Sequence, residues 1–182
     1  MIKRPYTSGN KADEVDAPQN TIARQQTALA IISRLHEDFS MGKKPAQICQ
    51  ELLHQLVQLT DSEGGFIGEI ESGYSTTPYL NIHSIINIRW DNTVQQYFGT
   101  QIEHGQHFTN LNTLFGKVIL SNAPVLSNDP ATDEHNAGFT TTSIFRSFLG
   151  IPITLKGVAT GMMALVNNAS GYDHNMIPEL QA

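Results

Sequence analysis

Cysteine is almost missing from this chain. Cys49 stands alone among 182 residues, which rules out an internal disulfide and any cysteine cage for zinc or an iron–sulfur cluster. A single thiol suits a reducing compartment, so a cytoplasmic location is expected, and Cys49 itself reads as a buried, inert group. No apolar run approaches the roughly 18 residues of a membrane span, and Met1 to Lys11 has basic residues without the apolar stretch of a signal peptide. Insertion into a membrane is therefore not expected. Basic residues are scarce too, 11 Lys and Arg against 17 Asp and Glu, for a net charge of −6. The deficit is concentrated, because residues 1–44 carry a net +2 and residues 45–182 a net −8. A body so acidic cannot neutralise phosphates, which removes nucleic acid from the expected partners. Also missing is a GxSxG turn or comparable nucleophile motif, so catalysis has no visible seat.

Residues 1–20, with Thr7, Ser8, Gly9, Asn10 and Pro18 among scattered charges, bury nothing by pattern and read as a flexible leader. From Thr21 the spacing becomes helical. Ile22, Leu29, Ile32, Leu35 and Phe39 form a stripe that ends at Gly42, and residues 21–44 are expected as a signalling or dimerisation helix. Such a stripe needs a partner, either a second copy in a helix bundle or the chain's own sheet. Pro45 opens a second helix with Ile48, Leu52, Leu56 and Leu59 on one side.

The next segments read as strands. Residues 66–70 (FIGEI) and Tyr79–Ile88 are expected to pair as a hairpin, with Leu80, Ile82, Ser84, Ile86 and Ile88 on the greasy face. Asp91 is placed to cap a short helix through Tyr97 and Phe98, and Asn110 a helix carrying Leu111, Leu114, Phe115, Val118 and Ile119. PVLSNDP (124–130) reads as a brief strand ending in an Asx turn, followed by a polar loop to Ser143. A tight unit then dominates the C-terminal third, RSFLGIPI followed by GVATGMMALVNN with Lys156 and Gly157 at its turn. Phe145, Ser147, Leu149, Ile151 and Ile153 are expected on one face of its first strand, with Arg146, Phe148 and Gly150 on the other. Apolar on both faces, this hairpin belongs mid-sheet under cover on each side. A last helix is expected near Asp173, and the whole is an α+β fold with a central antiparallel sheet between helices.

That order, with the phrases LTDSEGGFIGEI, YLNIHSIINIRW, NLNTLFGKVILSNAPVLSNDP, SFLGIPI and ALVNNASGYD, resembles the GAF domain family, and especially the modules of bacterial sensor histidine kinases and diguanylate cyclases. The resemblance covers residues 45–182. It implies a non-catalytic sensory module that holds a small-molecule effector between the sheet and the helices and loops on one side and often dimerises through helices on the other. The final helix of such modules usually continues toward an output domain, so this chain is expected to be a fragment of a longer signalling protein. A protein-interaction and dimerisation module without a ligand is the alternative. The loop 133–144 (DEHNAGFTTTSI) departs from the Gly- and Pro-rich lid common in such domains, and the NKFDE signature of the cyclic-nucleotide-binding members is not there. Cys49 does not occupy the loop position that binds bilins, and the family's free-methionine-sulfoxide reductases use several cysteines. The effector and any cofactor are left unnamed by these residues.

Candidate pocket residues follow from strand ends and chemistry. His83, mid-strand, reads as a core or pocket hydrogen-bonding group rather than a haem or metal ligand. Asn87 offers a donor and an acceptor, Arg89 a cation and Trp90 a flat apolar surface where the resemblance puts the pocket rim. Asn128 and Asp129 close the strand at 124–128 and face either the cavity or their own Asx turn. Phe115, Phe148, Met163 and Leu165 are candidates for the cavity wall, with plain core as the other reading. His104 and His107 read as members of a solvated loop, with a metal site as the alternative.

Overall fold

The computed structural model describes residues 13–72, 77–88, 107–133 and 145–181, the side chains of 13–25 and 28 apart. A long helix α1 (Asp13–Ser40) turns through Gly42 into α2 (Pro45–Leu59). Strands β1 (Gly64–Ser72) and β2 (Pro78–Ile86) follow, then a two-residue β3 (His107–Phe108), helix α3 (Leu114–Ser121) and β4 (Val125–Ser127). The hairpin β5 (Phe148–Leu155) and β6 (Val158–Val166) leads to a short α4 (Met176–Gln181). The six strands form one antiparallel sheet in the order β3-β2-β1-β6-β5-β4, so the C-terminal hairpin does sit inside the sheet. Lys156 and Gly157 both hold positive φ, 53° and 81°, as a two-residue turn between right-twisting strands requires.

Each face of the sheet has its own core. Toward α3 lie Phe66, Leu80, Phe108, Phe115, Val118, Phe148, Met162 and Ala164. Toward α2 and α4 lie Leu53, Leu56, Val57, Ile67, Leu149, Ile151, Met163, Leu165 and Tyr172. The period of two along β6 produces this split, sending Met162, Ala164 and Val166 one way and Met163 and Leu165 the other.

Four sequence expectations need correction, each for a local reason. In β2 the greasy alternation breaks at His83, because Ile67 pairs with Ser84 while Gly68 pairs with Ile82. His83 is the extra residue of a bulge, and Ile85 rather than Ile86 therefore joins Leu80 and Ile82 on the α3 side. Phe145 also packs on the α3 side, with Phe148, since the regular strand starts only at Phe148 and alternation does not reach back to it. Thr113, not Asn110, caps α3: its hydroxyl accepts from the Gly116 N–H at 3.3 Å, while Asn110 turns its carbonyl oxygen to the Asn112 N–H. Helix α1 begins at Asp13 rather than Thr21, so residues 13–20, expected as part of a flexible leader, are helical.

The stripe on α1 is also divided. Ile31 and Asp38 are buried and Leu35 is half-buried against α2, whereas Leu29, Ile32 and Phe39 are exposed. Arg34 lies 3.7 Å from Glu51 and Lys43 lies 2.7 Å from Asp38, pinning this orientation from both sides of the turn. The expected helix at 91–98 and most of the loop at 133–144 lie outside the described residues.

Candidate functional site

Thr60 and Asp61 just after α2, the end of β4 and the loop from Asn168 to His174 enclose a groove of about 680 Å³. Its geometry is set by Tyr172, whose ring sits in the α2-side core while its backbone runs along the groove. Asn128 clamps that backbone twice. Its Nδ2 donates to the Tyr172 carbonyl at 3.0 Å and its Oδ1 accepts the Tyr172 N–H at 2.8 Å, so one side chain stands in for a strand partner. Gly171 makes this approach possible, because it holds φ +79° and a Cβ there would lie 2.9 Å from Asn128 Oδ1.

A second connection reaches α2. Thr60 donates its hydroxyl to the Leu56 carbonyl at 2.7 Å, so its oxygen is left to accept from Ser62, 2.7 Å away. Ser62 Oγ then accepts from the Tyr172 hydroxyl at 2.8 Å. The protons run in one direction, Tyr172 to Ser62 to Thr60 to the helix end. Asn168 closes the ring, its Nδ2 donating to the Thr60 carbonyl at 2.6 Å while its Oδ1 takes the Ser170 N–H at 2.8 Å. The C-terminal loop is thus bolted to the end of α2 by side chains that are themselves buried. Asp61 and Asp173 add carboxylates to the lining, beside the carbonyl end of α2.

Burial pushes the Tyr172 phenol up to about 12. With an ordinary value near 10 in the unfolded chain, its contribution to stability is complete below pH ~10 and is lost as pH rises toward 12. Tyr172→Phe is expected to remove a late-titrating phenol from the 295 nm absorbance titration and to flatten the fall in Tm above pH 10. A titration curve unchanged by the substitution would contradict the placement of this ring.

The residues proposed from sequence for a pocket do not converge on one place. Asn128 lines the groove; Asp129 next to it is exposed, and its carbonyl accepts from Thr132. Phe115 and Phe148 pack in the α3-side core, while Met163 and Leu165 lie across the sheet in the α2-side core, so no single cavity has all four as its wall. Asn87 holds φ +52° at the end of β2 and donates to the Glu63 carbonyl at 3.0 Å, tying down the strand end. Arg146 pairs with the Glu63 side chain nearby. Arg89, Trp90 and His104 lie outside the described residues.

His83 faces the N-terminal turn of α2 across a hollow of about 270 Å³, its Nε2 3.3 Å from Glu69. It belongs to a polar cluster on that sheet face. Glu71 accepts from the Tyr79 hydroxyl at 2.8 Å and from Asn81 Nδ2 at 2.6 Å, and these bonds hold its carboxyl below the usual range. His107 lies on β3, not in a loop, with its ring 4.9 Å from that of Tyr79. Cys49 is half-buried on α2, where desolvation and then Glu69 push its thiol up. Both causes disfavour the thiolate.

Sequence reasoning missed Thr60, Ser62, Asn168 and Tyr172. The signal was present in the closing phrase ASGYD, whose Gly before an aromatic marks a turn aiming a ring inward, but its partners Thr60 and Ser62, just after α2, are more than 100 residues away in sequence.

A sequence model described as the GAF domain matches residues 43–182. No curated protein matches the chain. Among solved structures, the GAF domain of the Acinetobacter phosphoenolpyruvate-protein phosphotransferase is similar with 12% identity over 84% of this chain and 85% of its own, at a TM-score of 0.61. The A. aeolicus nlh2 GAF domain, solved in an inactive state, has 15% identity over 87% and 91%, at 0.58. The free methionine-R-sulfoxide reductase from Neisseria meningitidis, solved with its substrate, has 10% identity over 100% and 90%, at 0.60. At such identities these likenesses speak to the fold alone.

Proposed function

The chain belongs to the GAF domain family, and from that premise we propose that it is a non-catalytic sensory module, which takes a small polar effector into the groove beside Asn128 and relays its occupancy through helices paired between two copies. The position of the groove carries this reading. One wall is Thr60 and Asp61 at the end of α2, a helix that packs on α1, and the other is the loop entering α4. A ligand that prefers one setting of these helices shifts their equilibrium, and ~1–3 kcal/mol of such preference is the usual scale of coupling. The lining of amides, hydroxyls and two carboxylates, with Leu126 and Met176 as apolar ground, suits a compact molecule rich in donors. The full protein on this reading is bacterial and cytoplasmic, with a histidine kinase of a two-component system or a diguanylate cyclase as its output domain.

The non-catalytic part of the reading is supported by the residues at hand. The one cysteine is half-buried with its thiol pushed up, and the Thr60 and Tyr172 hydroxyls are committed to a structural chain. No helix among the described residues is long and apolar enough to cross a membrane.

A thermal-shift screen with nucleotides, amino acids and other metabolites tests the proposal. At a hundredfold excess over Kd the true effector is expected to raise Tm by about 5–10 °C, and Asp173→Asn, at the exposed rim, is expected to reduce that shift. A flat response across the panel would favour the second reading, an interaction and dimerisation module with no ligand. That reading has its own support, because the α3-side face is filled by Phe66, Phe108, Phe115 and Phe148, all essentially without exposure.

A further inference from the structure

His83 and Ser84 are neighbours in β2, yet both line the same hollow of about 270 Å³ beside the first turns of α2. Adjacent residues of a regular strand point to opposite faces. The bulge brings these two together, because Ile67 pairs with Ser84 and Gly68 with Ile82, leaving His83 as the extra residue between them. Ser84 lies on the α2 side of the sheet, opposite Ile67 of the α2-side core. It is only 8% exposed, the exposure it keeps is toward the hollow it lines, and its hydroxyl has no hydrogen-bond partner among the described residues. A hydroxyl buried in this way costs stability unless something else supplies a partner.

We propose that this hollow is a second binding site, for a compact oxyanion such as the carboxylate or phosphate group of a small metabolite, held between Ser84 and the N-terminus of α2. The site is separate from the groove beside Asn128, which borders the opposite end of the same helix. It stands whether or not that groove takes an effector.

The lining selects the charge of the occupant. Pro45 has no N–H, and those of Gln47 and Ile48 both go to the Lys44 carbonyl, so in the first turn of α2 the Ala46 N–H is left without a partner among the described residues. Gln47 accepts the Lys44 N–H through its Oε1 at 3.3 Å, which leaves its Nε2 hydrogens to donate. Gln50 has an exposed carboxamide with no partner among the described residues. Together with Ser84 these groups place donors on facing walls, at the positive end of a 15-residue helix. No Asp or Glu lines the hollow, although residues 45–182 carry a net −8. Glu69 is met by His83 at 3.3 Å, and Lys44 stands exposed just before the helix. The groove beside Asn128 has the opposite character, with Asp61 and Asp173 in its lining. Sites for drug-sized ligands measure ~300–1,000 Å³, so the occupant of this smaller hollow is compact.

Titration of the isotope-labelled whole chain with sodium phosphate and, separately, sodium acetate, followed by amide NMR against sodium chloride at matched ionic strength, tests the site. Saturable shifts at Ala46, Gln47 and Ser84 are expected with at least one oxyanion and not with chloride, and the salt that saturates tells which group is taken. Gln50→Glu, at an exposed helix position, is expected to weaken binding at least about tenfold by setting a carboxylate beside the anion, with unchanged circular dichroism. Gln50→Lys is expected to tighten it. Gln58→Glu makes the same change of charge near the other end of α2, outside the hollow, and is expected to leave the affinity as it was. Ser84→Ala removes the hydroxyl without adding bulk and is expected to cost about tenfold in affinity. Shifts that stay linear, or that chloride reproduces, overturn the site. Equal weakening by Gln50→Glu and Gln58→Glu overturns it as well, since ions would then follow the charge of the whole chain. Full affinity in Ser84→Ala overturns the role of the buried hydroxyl.

Discussion

Phe148→Ala is expected to lower the unfolding free energy by about 3–5 kcal/mol, the range for removing a buried aromatic ring. The side chain is 1% exposed and lies in the α3-side core together with Phe66, Phe108 and Phe115. Phe108 stands at the centre of this group, with ring centroids 5.2 Å from Phe66 in an edge-to-face contact and 5.7 Å from Phe115. A neighbouring hole cannot collapse easily when its walls are rings held in this way and by β1, β6 and α3. Urea unfolding followed by circular dichroism gives the number. The same variant probes the two functional readings, because an apolar hole of this kind stays dry and takes small aromatic guests. Partial rescue of Tm by benzene or indole is expected if this face is a filled core in the native protein. A loss under 1 kcal/mol would mean that the ring borders open space, and the α3 side would then regain its claim as the effector pocket.

Asn168→Leu comes next, at about 1–3 kcal/mol, because it keeps the approximate volume but strands a buried carbonyl. The Thr60 carbonyl loses its donor at 2.6 Å, out of reach of water, whereas the Ser170 N–H, which loses its acceptor at 2.8 Å, belongs to an exposed residue that water can serve. The loop should loosen together with α4, since the Tyr172 ring and the Asn128 clamp share the same short segment. Amide exchange would show this as faster opening across residues 168–177 with the β1–β6 centre still protected. Equal acceleration everywhere would mean that the loop is not a separate unit, and the idea that groove occupancy biases α4 would lose its physical basis. Asn128→Ala makes a useful companion, since it removes the clamp without touching α2.

How far this could be read in advance depends on the range of each interaction. Five of the six strands, the four described helices and the mid-sheet hairpin were legible, because periodicity and turn chemistry are local: Lys156 and Gly157 announce their turn, and the apolar runs on either side announce burial on both faces. His83 shows the limit. A bulge depends on what the neighbouring strand offers at Ile67 and Gly68, and a single unpaired residue reverses the sides of Ser84, Ile85 and Ile86 within the rest of the strand. The same limit divided the proposed pocket wall, for residues two apart in β6 share a face but Phe148 and Met163 are referred to that face only through the register of β5 against β6.

The sequence by itself determined the architecture, the acidic body and the exclusion of an internal disulfide or a multi-cysteine cage, since composition and alternation act within a few residues. Only the tertiary structure decided where the open space lies and which face of α1 remains free. Those depend on pairs such as Ser62 with Tyr172 and Arg34 with Glu51, set side by side by folding over long stretches of chain. A stripe of apolar residues states that a partner is needed; which partner it receives is settled by the surfaces already occupied when the rest of the chain has packed.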